Sequence, residues 1–265
     1  MTDTVATAAG GAEFSVGKVL RDTFSTYFGN IVTFTLLGIL VYIPIAAITA
    51  AVIGVGTQSV LQQVDPVTNP AGFSSMVGTV LYASLGIGIL TIIIGALINA
   101  GITFGAIETL SGRRFGFGAL ISRAFSAFLP IILATIVIGI ISSIGFVLLI
   151  VPGIILLLMF SITIPVIIAE RQSPLDAMSR SRSLTSGHRW AILGGYIVCA
   201  IAMIVISYAV QLAAVFLGPV IVLVASIFTN SINAAITGSF TAAVYVNLRM
   251  TKEGAGIEEL AAVFD

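Results

Sequence analysis

The chain reads as three apolar tracts separated by short polar segments. From Thr23 to Ile107 the only charged residue is Asp65, and no charge occurs from Ala124 to Ala169 or from Ala191 to Leu248. A bilayer-crossing helix takes roughly 20 residues at about 1.5 Å each, so every tract is too long for one crossing and predicts two helices folded back as a hairpin. Breakers sit near the middle of each. The first holds the polar, proline-containing TQSVLQQVDPVTNPAGFSS, while Pro152-Gly153 in IVPGII and Gly218-Pro219 in FLGPVI read as tight turns. Spans are expected near residues 31–55, 79–109, 130–150, 153–169, 191–216 and 220–248. The predicted class is an all-α polytopic membrane protein of six transmembrane helices in three hairpins.

Composition agrees with a chain solvated by lipid. With 58% hydrophobic residues and a mean hydropathy of +1.17, the 265 residues carry more apolar surface than a soluble domain buries. If all three tracts are hairpins, the intervening charged segments share one side. Lys18 and Arg21, then Arg113, Arg114 and Arg123, then Arg171, Arg180, Arg182 and Arg189, then Arg249 and Lys252 all fall on that side, and they are all 11 basic residues of the chain. The positive-inside rule makes it cytoplasmic, with both termini there. The first apolar run is expected to be an uncleaved signal anchor, residues 1–13 a disordered tail, 14–250 one membrane domain and 251–265 a cytoplasmic C-terminal tail. A net charge of zero without basic blocks argues against nucleic acid as a partner. The single cysteine, Cys199, excludes an internal disulfide and reads as packing.

An internal echo adds helices at the membrane surface. FSVGKVLRDTFSTYF (14–28) aligns without gaps on FGFGALISRAFSAFL (115–129), and Phe14, Gly17, Phe24 and Ser25 recur as Phe115, Gly118, Phe125 and Ser126. Helical spacing puts Gly17, Leu20, Phe24, Tyr27 and Phe28 on one face, and likewise Gly118, Ile121, Phe125, Phe128 and Leu129, as in interfacial helices. A thinner third copy has Ala177, Ser181 and Leu184 at matching places, with Ser173-Pro174 and Asp176 as its helix start. INAGIT (98–103) recurs as INAAIT (232–237). The chain therefore predicts three repeats, 14–109, 115–170 and 173–249, each a cytoplasmic interfacial amphipathic helix followed by a hairpin.

The segment around the second and third tracts carries a resemblance. Pro152 and Gly153, Pro165 late in the next span, Glu170 at its end, then Ala177, Arg180, Ser181, Leu184 and Thr185 followed by Gly187 and Trp190, resemble the membrane domain attached to some glycerophosphoryl diester phosphodiesterases and its stand-alone integral membrane relatives of uncharacterised function. The pattern covers about 40 residues and departs at Arg182, where an aromatic often stands. The resemblance implies a protein of the bacterial or archaeal cytoplasmic (inner) membrane. It implies no chemistry, because the phosphodiesterase reaction belongs to a separate soluble domain whose acidic metal ligands and paired histidines have no counterpart here.

Candidate chemistry is sparse and lies mostly at the basic side. His188 is the only histidine, which leaves no material for a His-based metal cluster or a conventional hydrolase triad, so no catalytic residue, metal or cofactor is expected. Arg180, Ser181, Arg182 and Arg189 are candidate contacts for lipid headgroups or partners, each charge worth roughly 1 kcal/mol near an anionic leaflet. Glu108 and Glu170 end the second and fourth spans and are candidate interfacial acids, read either as a proton relay or as partners of nearby arginines. Asn99, Asn230 and Asn233 lie deeper and are read either as a polar path or as interhelical packing, with Gly101 and Gly105 as a close-approach face. The expected function is organisation of lipid or protein partners, other membrane proteins or a second copy included, at the cytoplasmic face without catalysis. A transporter or channel through the polar faces of the second and sixth spans is the alternative.

Overall fold

The computed structural model describes residues 14–63 and 69–254, with side chains at 14–51 and 69–254. Asp65, the tail 1–13 and residues 255–265 lie outside them. The described chain is helical, with no strand among the described residues. A short α1 (Val16–Gly29) runs into α2 (Ile31–Gln63), and α3 (Pro70–Leu110) follows. A short α4 (Phe117–Ser126) leads to α5 (Phe128–Leu148), α6 (Ile150–Met159) and α7 (Thr163–Glu170). The third tract has α8 (Pro174–Thr185), α9 (Arg189–Val215) and α10 (Pro219–Glu253). Among the described residues six stretches are long and apolar enough to cross a bilayer: α2, α3, α5, α6 with α7, α9 and α10.

Local chemistry explains where these helices start and stop. Gly218, at φ 105° and ψ 168°, takes a conformation that side chains disfavour, and Pro219 supplies the first residue of α10, so this turn falls where expected. The turn expected at Pro152-Gly153 is displaced. Leu149, extended at φ −163° and ψ 150°, makes the reversal, and Pro152 lies in the first turn of α6, where its missing N–H has no helical acceptor to serve. Gly153 instead permits a close approach, since a Cβ there would fall 2.6 Å from the Phe146 ring. The fourth span, expected as one helix over 153–169, is broken at residues 160–162. Pro165 has no N–H to give the Ser161 carbonyl four residues back, and the chain tightens so that Thr163 N bonds Phe160 O at 3.1 Å.

The core is concentrated at one end of the bundle. On α3 the buried residues run from Ala96 to Glu108, and on α10 from Thr229 to Leu248, leaving the opposite ends of both helices exposed. Phe34, Ile102, Phe240 and Tyr245 are among its fully buried side chains. α10 packs against α1, α2, α3 and α9. Two close approaches set its spacing. A Cβ on Gly38 would lie 2.6 Å from Ser231 Cβ and 2.8 Å from Ser231 Cα, and one on Gly238 would lie 2.7 Å from the Ile102 side chain. Gly101 and Gly105 face α2 and α4: a Cβ on Gly105 would meet Phe34, Leu120 and Phe115.

The short helices bury stripes adjacent to the faces expected from their spacing. α1 buries Val19, Thr23, Thr26 and Tyr27, and α4 buries Leu120 and Ala124, which occupy the positions aligned with Val19 and Thr23. Phe28, Phe125 and Leu129 stay exposed, at 63%, 67% and 63%. α8 buries Ala177, Met178, Ser181, Leu184 and Thr185.

Candidate functional site: a charged ring joining α7, α8 and α10

α8 begins where the sequence signals it. Ser173 Oγ accepts the Asp176 N–H at 3.3 Å and donates to Asp176 Oδ2 at 2.6 Å, and Pro174 opens the helix. This start turns Ala177, Ser181 and Leu184 inward and leaves Arg180 at the rim.

There Arg180 meets Glu170, the last residue of α7. Its Nε lies 3.3 Å and 3.1 Å from the two Glu170 oxygens, Tyr245 donates its hydroxyl to Glu170 Oε1 at 3.0 Å, and Gln172 donates to Oε2 at 2.9 Å. The same guanidinium forms an ion pair with Glu253 through Nη2. Arg249 closes the circuit, with Nε on Glu253 Oε2 at 2.9 Å and Nη1 on the Tyr245 hydroxyl at 3.3 Å. Glu170, Arg180, Glu253, Arg249 and Tyr245 thus form a closed ring of two carboxylates, two guanidiniums and a phenol. Burial opposes the Arg180 charge, but Glu170 and then Glu253 outweigh it and hold the guanidinium above its ordinary range. Glu170 is 12% exposed and fully engaged, so the ring is a clamp between three helices.

The next residue of α8 serves the helix break. Ser181 Oγ donates to Met159 O at 2.8 Å, Thr185 Oγ1 approaches the same carbonyl at 3.4 Å, and both residues are fully buried. The break between α6 and α7 frees that carbonyl from the regular helical ladder, and α8 supplies its donors. Ser181, a candidate headgroup contact, is therefore committed inside the fold. Ser181→Ala is expected to cost about 1–2 kcal/mol, since the weaker Thr185 contact alone remains. Thermal unfolding in detergent checks this, and a melting temperature equal to the parent's would remove the assigned role.

The other candidate residues separate by location. Arg182 is exposed and Arg189 half-buried. Glu108, 7% exposed at the end of α3, lies in the field of Arg123, whose Nη2 donates to Ile168 O at 2.7 Å near the end of α7. Burial, reinforced by the charge of Arg171, presses the Arg123 guanidinium below its ordinary range, and Glu108 acts in the opposite direction. The two acids thus sit among different cations.

The three asparagines have different surroundings. Asn99 accepts from Thr103 at 3.1 Å in the seam with α10. Asn230 lines a groove of about 580 Å³ with Tyr42, Thr49 and Thr91. Asn233 lines another, of about 450 Å³, where it donates to Ser207 Oγ at 3.2 Å. Both Asn230 and Asn233 also bond backbone carbonyls four residues earlier on α10.

Sequence reasoning missed Tyr245, Arg249, Glu253 and Gln172. The one local signal was the i,i+4 spacing of Arg249 and Glu253 at the end of α10. Among the described residues no three His, Cys, Asp or Glu side chains converge as a metal site would require. Compared with known proteins, the chain matches no family model, no curated protein and no solved structure.

Proposed function

We propose that this chain is a multi-pass protein of a bacterial or archaeal inner membrane, with both termini cytoplasmic, that gathers anionic lipids or membrane partners at its cytoplasmic face without catalysing a reaction. The observation that carries the reading is the meeting of charged segments from all three tracts. Lys18 contacts Met250, Asn247 donates to Asp22, Arg123 reaches Ile168, Arg180 pairs with Glu253 and Lys252 donates to Ser183. With six crossings in hairpins, that shared end is the cytoplasmic one by the positive-inside rule.

The clamp residues are internally neutralised, whereas Arg21, with only Asp22 beside it at 4.0 Å, Arg114 and Arg182 are exposed. Exposed Phe28, Phe125 and Leu129 on α1, α4 and the start of α5 suit the headgroup level beside them. The likeness to the phosphodiesterase-linked membrane domain supports the same reading through Glu170, Arg180, Ser181 and Thr185, which hold the linker in place. The three repeated units, read from the echo of 14–28 in 115–129, set three surface helices around one charged end.

Replacing Arg21, Arg114 and Arg182 together by Gln is expected to reduce retained anionic over zwitterionic lipid several-fold, at roughly 1 kcal/mol per charge before solvent screening. Native mass spectrometry of the protein extracted from mixed-lipid nanodiscs reads the ratio. An identical ratio in variant and parent would overturn the lipid reading.

A further inference from the structure

α9 and α10 are tied together at two levels, with a groove between the ties. Nearer the charged ring, Gly195 lets the Phe240 side chain in close, since a Cβ there would lie 2.8 Å from that ring, and Tyr196 meets the same ring with centroids 4.6 Å apart. Farther along, Asn233 Nδ2 donates to Ser207 Oγ at 3.2 Å, and one turn beyond it Gln211 Nε2 reaches Thr229 Oγ1 at 3.5 Å. The groove has a volume of about 450 Å³ and apolar walls that include Cys199, Met203 and Ile236. It opens sideways past Ile204 and Tyr208, which are 54% and 74% exposed. At roughly 1.5 Å per residue Ser207 lies about 27 Å along α9 from Arg189, so the opening meets lipid inside a span.

The described lining is uncharged throughout, which gives an ionised headgroup no partner. Its polar groups instead form a complementary pair. The bond from Asn233 Nδ2 to the Thr229 carbonyl at 2.9 Å fixes which end of the amide is nitrogen, and the two amide hydrogens are spent on Thr229 and Ser207. What Asn233 still offers is its carbonyl oxygen, an acceptor. Ser207, having accepted from the amide, still offers its hydroxyl hydrogen. An acceptor and a donor side by side match a hydroxyl, which accepts and donates through one oxygen. Ligand hydroxyl, amide and serine then close a cycle of three hydrogen bonds, each polarising the next. Thr237, one turn along the same face of α10 and exposed, adds a donor for a second oxygen such as an ester carbonyl.

We infer that the groove between α9 and α10 binds a neutral lipid alcohol, either a diacylglycerol or a long-chain monoalcohol. Its hydroxyl sits on Asn233 and Ser207, and its apolar chain lies against Cys199, Met203 and Ile236. A cleft of this volume between helices, apolar with a few placed polar groups, is the usual form of a small-molecule site. The inference goes beyond the reading above, because it concerns uncharged lipid within a span and uses none of the charged residues.

The full chain in detergent is irradiated with a diacylglycerol that bears a diazirine in one acyl chain, and the labelled peptides are mapped by mass spectrometry. Labelling is expected to centre on residues 196–208 and 233–240 and to be displaced by dioctanoylglycerol. Dioctanoylglycerol methylated at its hydroxyl keeps the chains and loses the donor, and should displace the label about tenfold less well. That comparison is made on the parent protein, so no change of fold enters it. Asn233→Leu should weaken displacement about tenfold, with thermal unfolding as the check on its fold, and Arg182→Gln should leave it unchanged. Hexadecanol tells the two sources apart. Equal displacement by hexadecanol, insensitive to Thr237→Val, identifies a monoalcohol; stronger displacement by dioctanoylglycerol, weakened about fivefold in Thr237→Val, identifies a diacylglycerol. The inference is overturned if the label misses these residues or spreads evenly over the lipid-facing helices, if the methylated compound competes equally well, or if a folded Asn233→Leu binds like the parent. Any of these results leaves the reading of the charged face standing, since anionic lipid in nanodiscs tests that separately.

Discussion

Glu170→Ala is expected to destabilise the fold by about 3 kcal/mol. The Glu170 side chain is only 12% exposed and accepts from Arg180, Tyr245 and Gln172. Its removal leaves a guanidinium, a phenol and an amide facing a gap where no lipid tail can replace the carboxylate. The figure stays at the low end of the buried-pair range because Arg180 is 29% exposed and keeps Glu253. Glu170→Gln preserves the shape and part of the hydrogen bonding, and should cost about half as much. A double-mutant cycle with Arg180→Met, followed by thermal unfolding in detergent, isolates the pair. A coupling near zero would mean that the ring is not the clamp described above.

Gly38→Val is expected to cost about 3 kcal/mol or more, and Gly38→Ala about 1–3 kcal/mol. The obstruction is Ser231 on α10, with its Cβ 2.6 Å and its Cα 2.8 Å from the new Cβ, and the backbone atom cannot move aside as a side-chain tip would. Ser231→Gly should therefore restore only part of the loss. Gly86→Ala on α3 is the control, because a Cβ there meets nothing within 4 Å and should leave stability unchanged or slightly raised. Equal melting temperatures for Gly38→Val and Gly86→Ala would refute the close approach of α2 and α10.

The uneven legibility of the fold has physical reasons. Six apolar stretches were readable because lipid-facing helices need apolar residues on nearly every side, so tract length and charge spacing suffice. Gly218-Pro219 was readable as a turn because a positive φ followed by a fixed one is a strong local signal. Pro152-Gly153 looked the same but is compatible with a first helical turn, and nothing in the residue type of Leu149 marks it as the reversal. Pro165 sits near the C-terminal end of its span, and whether such a proline bends or breaks a helix depends on who takes the freed carbonyls. Here the break also frees Met159 O, and Ser181 and Thr185 of α8, more than 20 residues away, take it.

The site was half legible for a related reason. Ser173 capping, Glu170 and Arg180 stood out as polar residues in a short segment. Tyr245 was hidden in an apolar run, and Arg249 and Glu253 looked like an ordinary helix terminus, because their partners come from another part of the chain. Spacing along one helix identifies faces, while the facing helix remains unspecified until the bundle is assembled.

The ring also carries an order of assembly. Tyr245 follows Glu170 by 75 residues, so at about 5–20 residues per second Glu170 is made roughly 4–15 seconds before Tyr245 exists, with Arg180 joining it 10 residues after. During that interval the two residues have each other and water. The first four crossings must therefore hold in the bilayer on their own packing, and α10, arriving last, threads between helices already present and locks the linker to its own end.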